Sequence, residues 1–131
     1  MIDYKAQGKR NRANGAIFER RVRTFLEDEG YVVAKWSNNI KDDKCIPAKP
    51  GRFRMMQTGF PDFIAFKPSK YSTRRLFIEV KTNGYLSKTE KEKAQWYLKN
   101  NYCHSFYVAK KIKNGHRVGI KFIEITREVE K

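Results

Sequence analysis

Apolar positions along the chain change period several times, and each change marks an element. Phe18, Val22, Phe25 and Leu26 stand at i, i+4, i+7 and i+8, one stripe of a helix. The spacing predicts a helix from about Asn14, a capping residue, to Glu29, with Gly30 as its C-terminal glycine. Residues 1–13 are basic and polar with no such stripe, so they read as a flexible arm ahead of a single domain over 14–131. YVVAKWS (31–37) has strand character, as do DFIAF (62–66), RLFIEVK (75–81), HSFYVAK (104–110) and RVGIKFIEI (117–125). Ser87, three residues before Glu90, is a capping-box signal for a helix over 88–99, with Ala94, Tyr97 and Leu98 as its core contacts. Asn114-Gly115 is a hairpin turn signal. Residues 38–58, with Pro47, Pro50 and Gly51, read as a long irregular loop.

The expected order is αβββαββ. The 62–66 and 75–81 strands should pair as an antiparallel hairpin. The strand–helix–strand step that follows permits parallel pairing through a crossover. The fold class expected is α/β, a mixed β-sheet flanked by helices.

Charge changes this picture. In 131 residues, 29 Lys and Arg outweigh 14 Asp and Glu, for a formal net charge of +15. Since 40% of residues are hydrophobic, this is a folding domain rather than a disordered basic tail. Such a domain suits a polyanionic partner, first of all nucleic acid. No apolar run approaches the roughly 20 residues of a membrane span, and no leader is visible at the start, so a cytoplasmic protein without a membrane partner is expected. Cys45 and Cys103 belong to no CxxC pair, which argues against zinc and for free thiols in a reducing compartment.

Two acids interrupt strands that should be apolar. Asp62 follows Pro61, and Glu79 breaks LFIEV with Lys81 two positions on. Alternation puts Phe77, Glu79 and Lys81 on one face and Leu76, Ile78 and Val80 on the other. If the strands pair, Asp62 approaches Glu79 at one end of the sheet. Two carboxylates so placed repel unless a cation lies between them, and such oxygen ligands suit Mg²⁺. Each acid by itself fits an ordinary exposed strand face or turn equally well.

Gly59-Phe60-Pro61-Asp62 followed by Ile78-Glu79-Val80-Lys81 resembles the PD-(D/E)xK nuclease superfamily, and the element order is similar to its restriction-endonuclease-like core. The likeness covers roughly residues 14–110. Small size and basicity are similar to archaeal Holliday junction resolvases. GFPDFIAF…FIEVKTNGYLS with Gln95-Trp96 on the next helix is similar to VRR-NUC nucleases. The resemblance implies a metal-dependent DNA endonuclease of recombination or repair, using Mg²⁺ with Mn²⁺ as a substitute. It implies Asp62, Glu79, the Val80 carbonyl and Glu19 as the metal set, Lys81 as the catalytic lysine, and Gln95 as a helical residue near the site. Glu19 also fits a salt bridge to Arg20 or Arg23, and Gln95 a plain surface amide.

No base-reading motif is present, so backbone contacts are expected from Lys9, Arg10, Arg12, Arg52, Arg54 and Lys88. Ser37 matches a serine that the resolvases carry after the first strand. Phe53 is a candidate for base stacking. The substrate expected is DNA, possibly branched. Paired cuts need two sites, hence a homodimer, with the 117–125 strand as one candidate surface. A non-catalytic nucleic-acid-binding module on the same fold is the alternative, and a basic RNA-binding domain a third.

Overall fold

The computed structural model describes residues 3–48, 59–70 and 72–129. Arg52, Phe53 and Arg54 lie outside the described residues. Helix α1 (Tyr4–Asp28) leads into β1 (Val32–Lys35), the β2–β3 hairpin (Asn38–Lys41 and Lys44–Pro47), β4 (Phe63–Lys67) and β5 (Arg74–Val80). Helix α2 (Lys88–Lys99), β6 (Ser105–Asn114) and β7 (Arg117–Ile125) complete the chain. Five strands form one mixed sheet in the order β1-β4-β5-β6-β7. Among the described strands only the β5–β6 pair, bridged by α2, is parallel. The α/β expectation therefore holds: two helices flank a mixed sheet.

The helices cover opposite faces. Phe18, Val22 and Leu26 of α1 pack with Val33, Phe63, Ala65, Leu76 and Ile78. Ala94, Tyr97 and Leu98 of α2 pack with Phe60, Phe77, Phe106 and Val108. Strand β5 thus divides as its alternation requires, Leu76 and Ile78 toward α1 and Phe77 toward α2. The capping box is complete, with Ser87 Oγ accepting from Glu90 N–H and Glu90 Oε1 from Ser87 N–H. Gly30 (φ 96) ends α1; its own N–H closes back on the Glu27 carbonyl and that of Tyr31 on the Leu26 carbonyl.

Two expectations need correction. Helix α1 does not start at Asn14: it is capped by Asp3, whose side chain accepts from Lys5 and Ala6 N–H, so residues 4–13 are helical rather than an arm. Asp3 supplies the cap that the apolar stripe, which begins only at Phe18, could not reveal. The segment after β1 is not wholly irregular either. Residues 38–47 form a hairpin that turns at Asp42 (φ 51) and Asp43 (φ 59), both in the left-handed region. Aspartate tolerates that conformation better than most residues, so the turn needs no glycine. Ile40 and Cys45 rest the hairpin on the α2-side core.

The Tyr97 hydroxyl joins that side together. It donates to the Phe60 carbonyl (2.6 Å) and accepts from Trp36 Nε1 (3.1 Å). Trp96 Nε1 donates to Asp43 in the hairpin turn. The chain following residues 49–58 enters β4 through Gly59, where a Cβ would lie 2.3 Å from the Trp36 carbonyl oxygen and 2.9 Å from Ser37 Cα. Backbone atoms cannot yield as a side-chain tip can. Gly59→Ala is expected to cost about 1–3 kcal/mol, the scale of an overpacked core. A urea titration checks this as a lower midpoint at unchanged m-value. Tyr97→Phe leaves a buried carbonyl and an indole N–H without their partner, and the same titration should show a loss of about 1–3 kcal/mol.

Candidate active site

The β4–β5 ladder ends at the Phe63↔Ile78 pair. Lys81 N–H turns to Ala109 O on β6, so the neighbouring Val80 amide and carbonyl face β4. The residue that continued register would set opposite Val80 is Pro61, which has no N–H to give the Val80 carbonyl. The Val80 amide is taken by the Asp62 side chain, whose Oδ2 accepts from Val80 N–H at 2.8 Å. This hydrogen bond holds the Asp62 carboxylate at the end of β5. There Glu79, only 7% exposed, shares a hydrogen bond with it.

Burial, the Asp62 charge and that hydrogen bond push the Glu79 carboxyl up to about 10, despite the lowering influence of Lys81. Glu19, half-buried on α1, is also raised, first by burial and then by Asp62, with Lys35 opposing. Asp62, just before β4, thus acts on one carboxyl from α1 and on one from β5. Lys81 Nζ lies 3.6 Å from Glu79 Oε2 and 2.7 Å from Glu90 Oε2. Burial works against the Lys81 charge, but Glu90 and Glu79 outweigh it, and the ammonium is held above its ordinary range. Glu90 is lowered: burial opposes its charge, and the Lys81 and Ser87 hydrogen bonds prevail.

The predicted residues divide. Glu19, Asp62, Glu79 and Lys81 come together, with Val80 between the last two. Gln95 does not join them: its Nε2 donates to Thr126 O and its Oε1 accepts from Glu128 N–H, which fastens the segment after β7 to α2. Five residues along a helix is about 140° of rotation, so Gln95 points away from the face on which Glu90 meets Lys81. Ser37 is exposed, two residues beyond β1, with its carbonyl accepting from Ala48 N–H. Lys88 is exposed at the first position of α2, and Lys9, Arg10 and Arg12 are exposed on α1. Sequence reasoning missed the second use of Glu90. The capping box occupies only one carboxylate oxygen, and the tertiary fold decides where the other goes.

The donor atoms at this end of the sheet are carboxylate and carbonyl oxygens, the hard type that Mg²⁺ and Mn²⁺ prefer. Among the described residues no group of three or more His, Cys, Asp or Glu side chains is placed so that it could hold a metal ion. The chain matches no protein-family model, and no curated protein or solved structure is significantly similar to it.

Folding raises the Glu79 value from 4.5 to about 10, so the folded chain holds this proton more tightly than the unfolded one. The stabilising contribution is complete below the ordinary carboxylate value and is lost as pH rises toward the folded value. Without divalent cations, Glu79→Gln is therefore expected to raise Tm at about pH 8 and to flatten the decline in stability above about pH 5. Thermal melts of both proteins across that range check it. An equal slope in the variant contradicts the assignment.

Proposed function

We propose that the chain is a metal-dependent endodeoxyribonuclease of the PD-(D/E)xK kind, hydrolysing phosphodiester bonds in DNA with preference for structure over sequence. The observation that carries this reading is the buried Glu79 carboxyl against the half-buried Asp62 carboxylate, beside Lys81, at the end of two adjacent strands. A core position gains nothing in stability from a second carboxylate there, whereas a cation-binding site requires it.

Asp62 and Glu79, with the Val80 carbonyl and Glu19, are the groups that would hold Mg²⁺. The ion, when bound, polarises a phosphoryl oxygen and lowers the pKa of water. Lys81 orients the attacking water by hydrogen bonding and offsets negative charge as it grows on the scissile phosphate. Glu90 keeps the ammonium charged and fixed. Glu19 orients water from the α1 side. The high basicity supplies affinity for the phosphate backbone without reading bases. Paired cuts on a junction would require two copies, and β7, the last strand of the sheet, offers an edge at which a second copy can meet it.

Cleavage of a labelled four-way junction, a flap and a linear duplex with Mg²⁺ or Mn²⁺ tests the reading. Wild type is expected to cut at least one of them. Glu79→Gln and Lys81→Met should each lose about a hundredfold or more in rate, the scale of removing a group that stabilises transition-state charge. If Glu79→Gln melts as high as wild type, lost activity cannot be ascribed to unfolding. Salt-sensitive binding without cutting would instead favour the non-catalytic DNA-binding module.

A further inference from the structure

None of residues 5–17 in the first half of α1 is buried, and Phe18 is the first residue after them that is. Gly8 and Gly15 weaken that half further. A helix of this composition standing away from the core is marginal in water, and its N-terminal half carries Lys5, Lys9, Arg10 and Arg12.

These cations are not scattered round the helix. Lys5, Lys9, Arg12, Ala16 and Glu19 follow one another at alternating steps of four and three residues. Such steps keep side chains in a single row along one face, drifting only about 20° per seven residues. Arg10 falls outside the row, about 140° round from Lys5 and 160° from Arg12. The row ends at Glu19, the residue through which α1 enters the acidic site. From Lys5 to Glu19 it spans about 21 Å at 1.5 Å per residue.

We propose that this row is the binding surface for the sugar–phosphate backbone of a duplex arm on one side of the cut, its cations Lys5, Lys9 and Arg12 engaging about three base pairs and the row reaching about six base pairs from Lys5 to Glu19. The inference rests on the nuclease reading for its scissile position, since the row points at Glu19. Duplex is favoured over single strand for two reasons. A straight, rigid row matches a stiff polymer, whose persistence length is about 150 base pairs. No aromatic side chain stands in the row on which an unpaired base could stack. An anionic membrane is disfavoured because residues 5–16 supply no apolar face beyond alanine.

The test measures duplex binding in Ca²⁺ or EDTA, where cutting is suppressed, over a range of salt. Lys5→Ala, Lys9→Ala and Arg12→Ala are each expected to reduce the slope of log K against log salt by about 1, and the triple variant by about 3. Arg10→Ala is the internal control and should leave the slope nearly unchanged. Alanine favours helix, so lost binding will not reflect a melted helix, and circular dichroism verifies this. Duplex binding should also raise helicity in wild type but not in the triple variant. Equal effects from Arg10 and the row residues overturn the proposal, as does a preference for single strands or phosphatidylserine vesicles over duplex. Mg²⁺-dependent cutting measured in parallel separates the two readings. Cutting with no special role for the row defeats this inference alone, and row-dependent binding without cutting defeats the nuclease reading alone.

Discussion

A single hydrogen bond decides what this protein presents at the end of its sheet. Val80 needs a partner for its N–H where the β4–β5 ladder runs out, and Asp62 Oδ2 provides it. An unpartnered amide there would carry a desolvation cost, so the carboxylate is held firmly at that place. The consequence is electrostatic. Glu79 on the adjoining strand is buried against a second acid, and the pair is compatible with the fold only if it keeps a proton or acquires a cation. Structural need and chemical potential are served by the same oxygen atoms.

The other half of the site depends on the start of α2. Glu90 holds the Ser87 N–H with one oxygen and the Lys81 ammonium with the other. The helix therefore cannot form its first turn correctly without also orienting the lysine. Two helices on opposite faces thus converge on one sheet end, α1 bringing Glu19 and α2 bringing Glu90, while β4 and β5 bring Asp62, Glu79 and Lys81. Gln95, on another face of α2, binds the chain after β7 to the helix and keeps the far strands in register with it. Tyr97, with Trp36 and Phe60, does the same for the segments around the β2–β3 hairpin.

Local pattern was a good guide wherever one face of an element is buried. The α1 stripe from Phe18, the alternation of Leu76 through Val80, the Ser87–Glu90 box and the Gly30 stop each reflect a force that acts within a few residues. It was a poor guide at Asp3, where helix extends beyond any buried stripe, and at Asp42–Asp43, where two aspartates adopt a turn usually marked by Asn-Gly. The acids Asp62 and Glu79 stood out because they broke an apolar run, which is itself a local signal. Gln95 was expected near the site from the family resemblance and instead faces Thr126 and Glu128, because five residues of helix turn its side chain away from that of Glu90.

By itself, then, the sequence determined the α/β class, the division of β5 between two cores, and the identity of the unusual carboxylates. Burial and hydrogen-bond capping operate at short range and leave periodic traces. Only the tertiary structure decided which charges meet. Whether Glu19 feels Asp62, whether Glu90 reaches Lys81 and whether Gln95 turns to Thr126 depend on how elements up to tens of residues apart are packed. Hydrogen bonds act only at contact and charges count most at close approach, so those meetings have no expression in the spacing of residues along the chain.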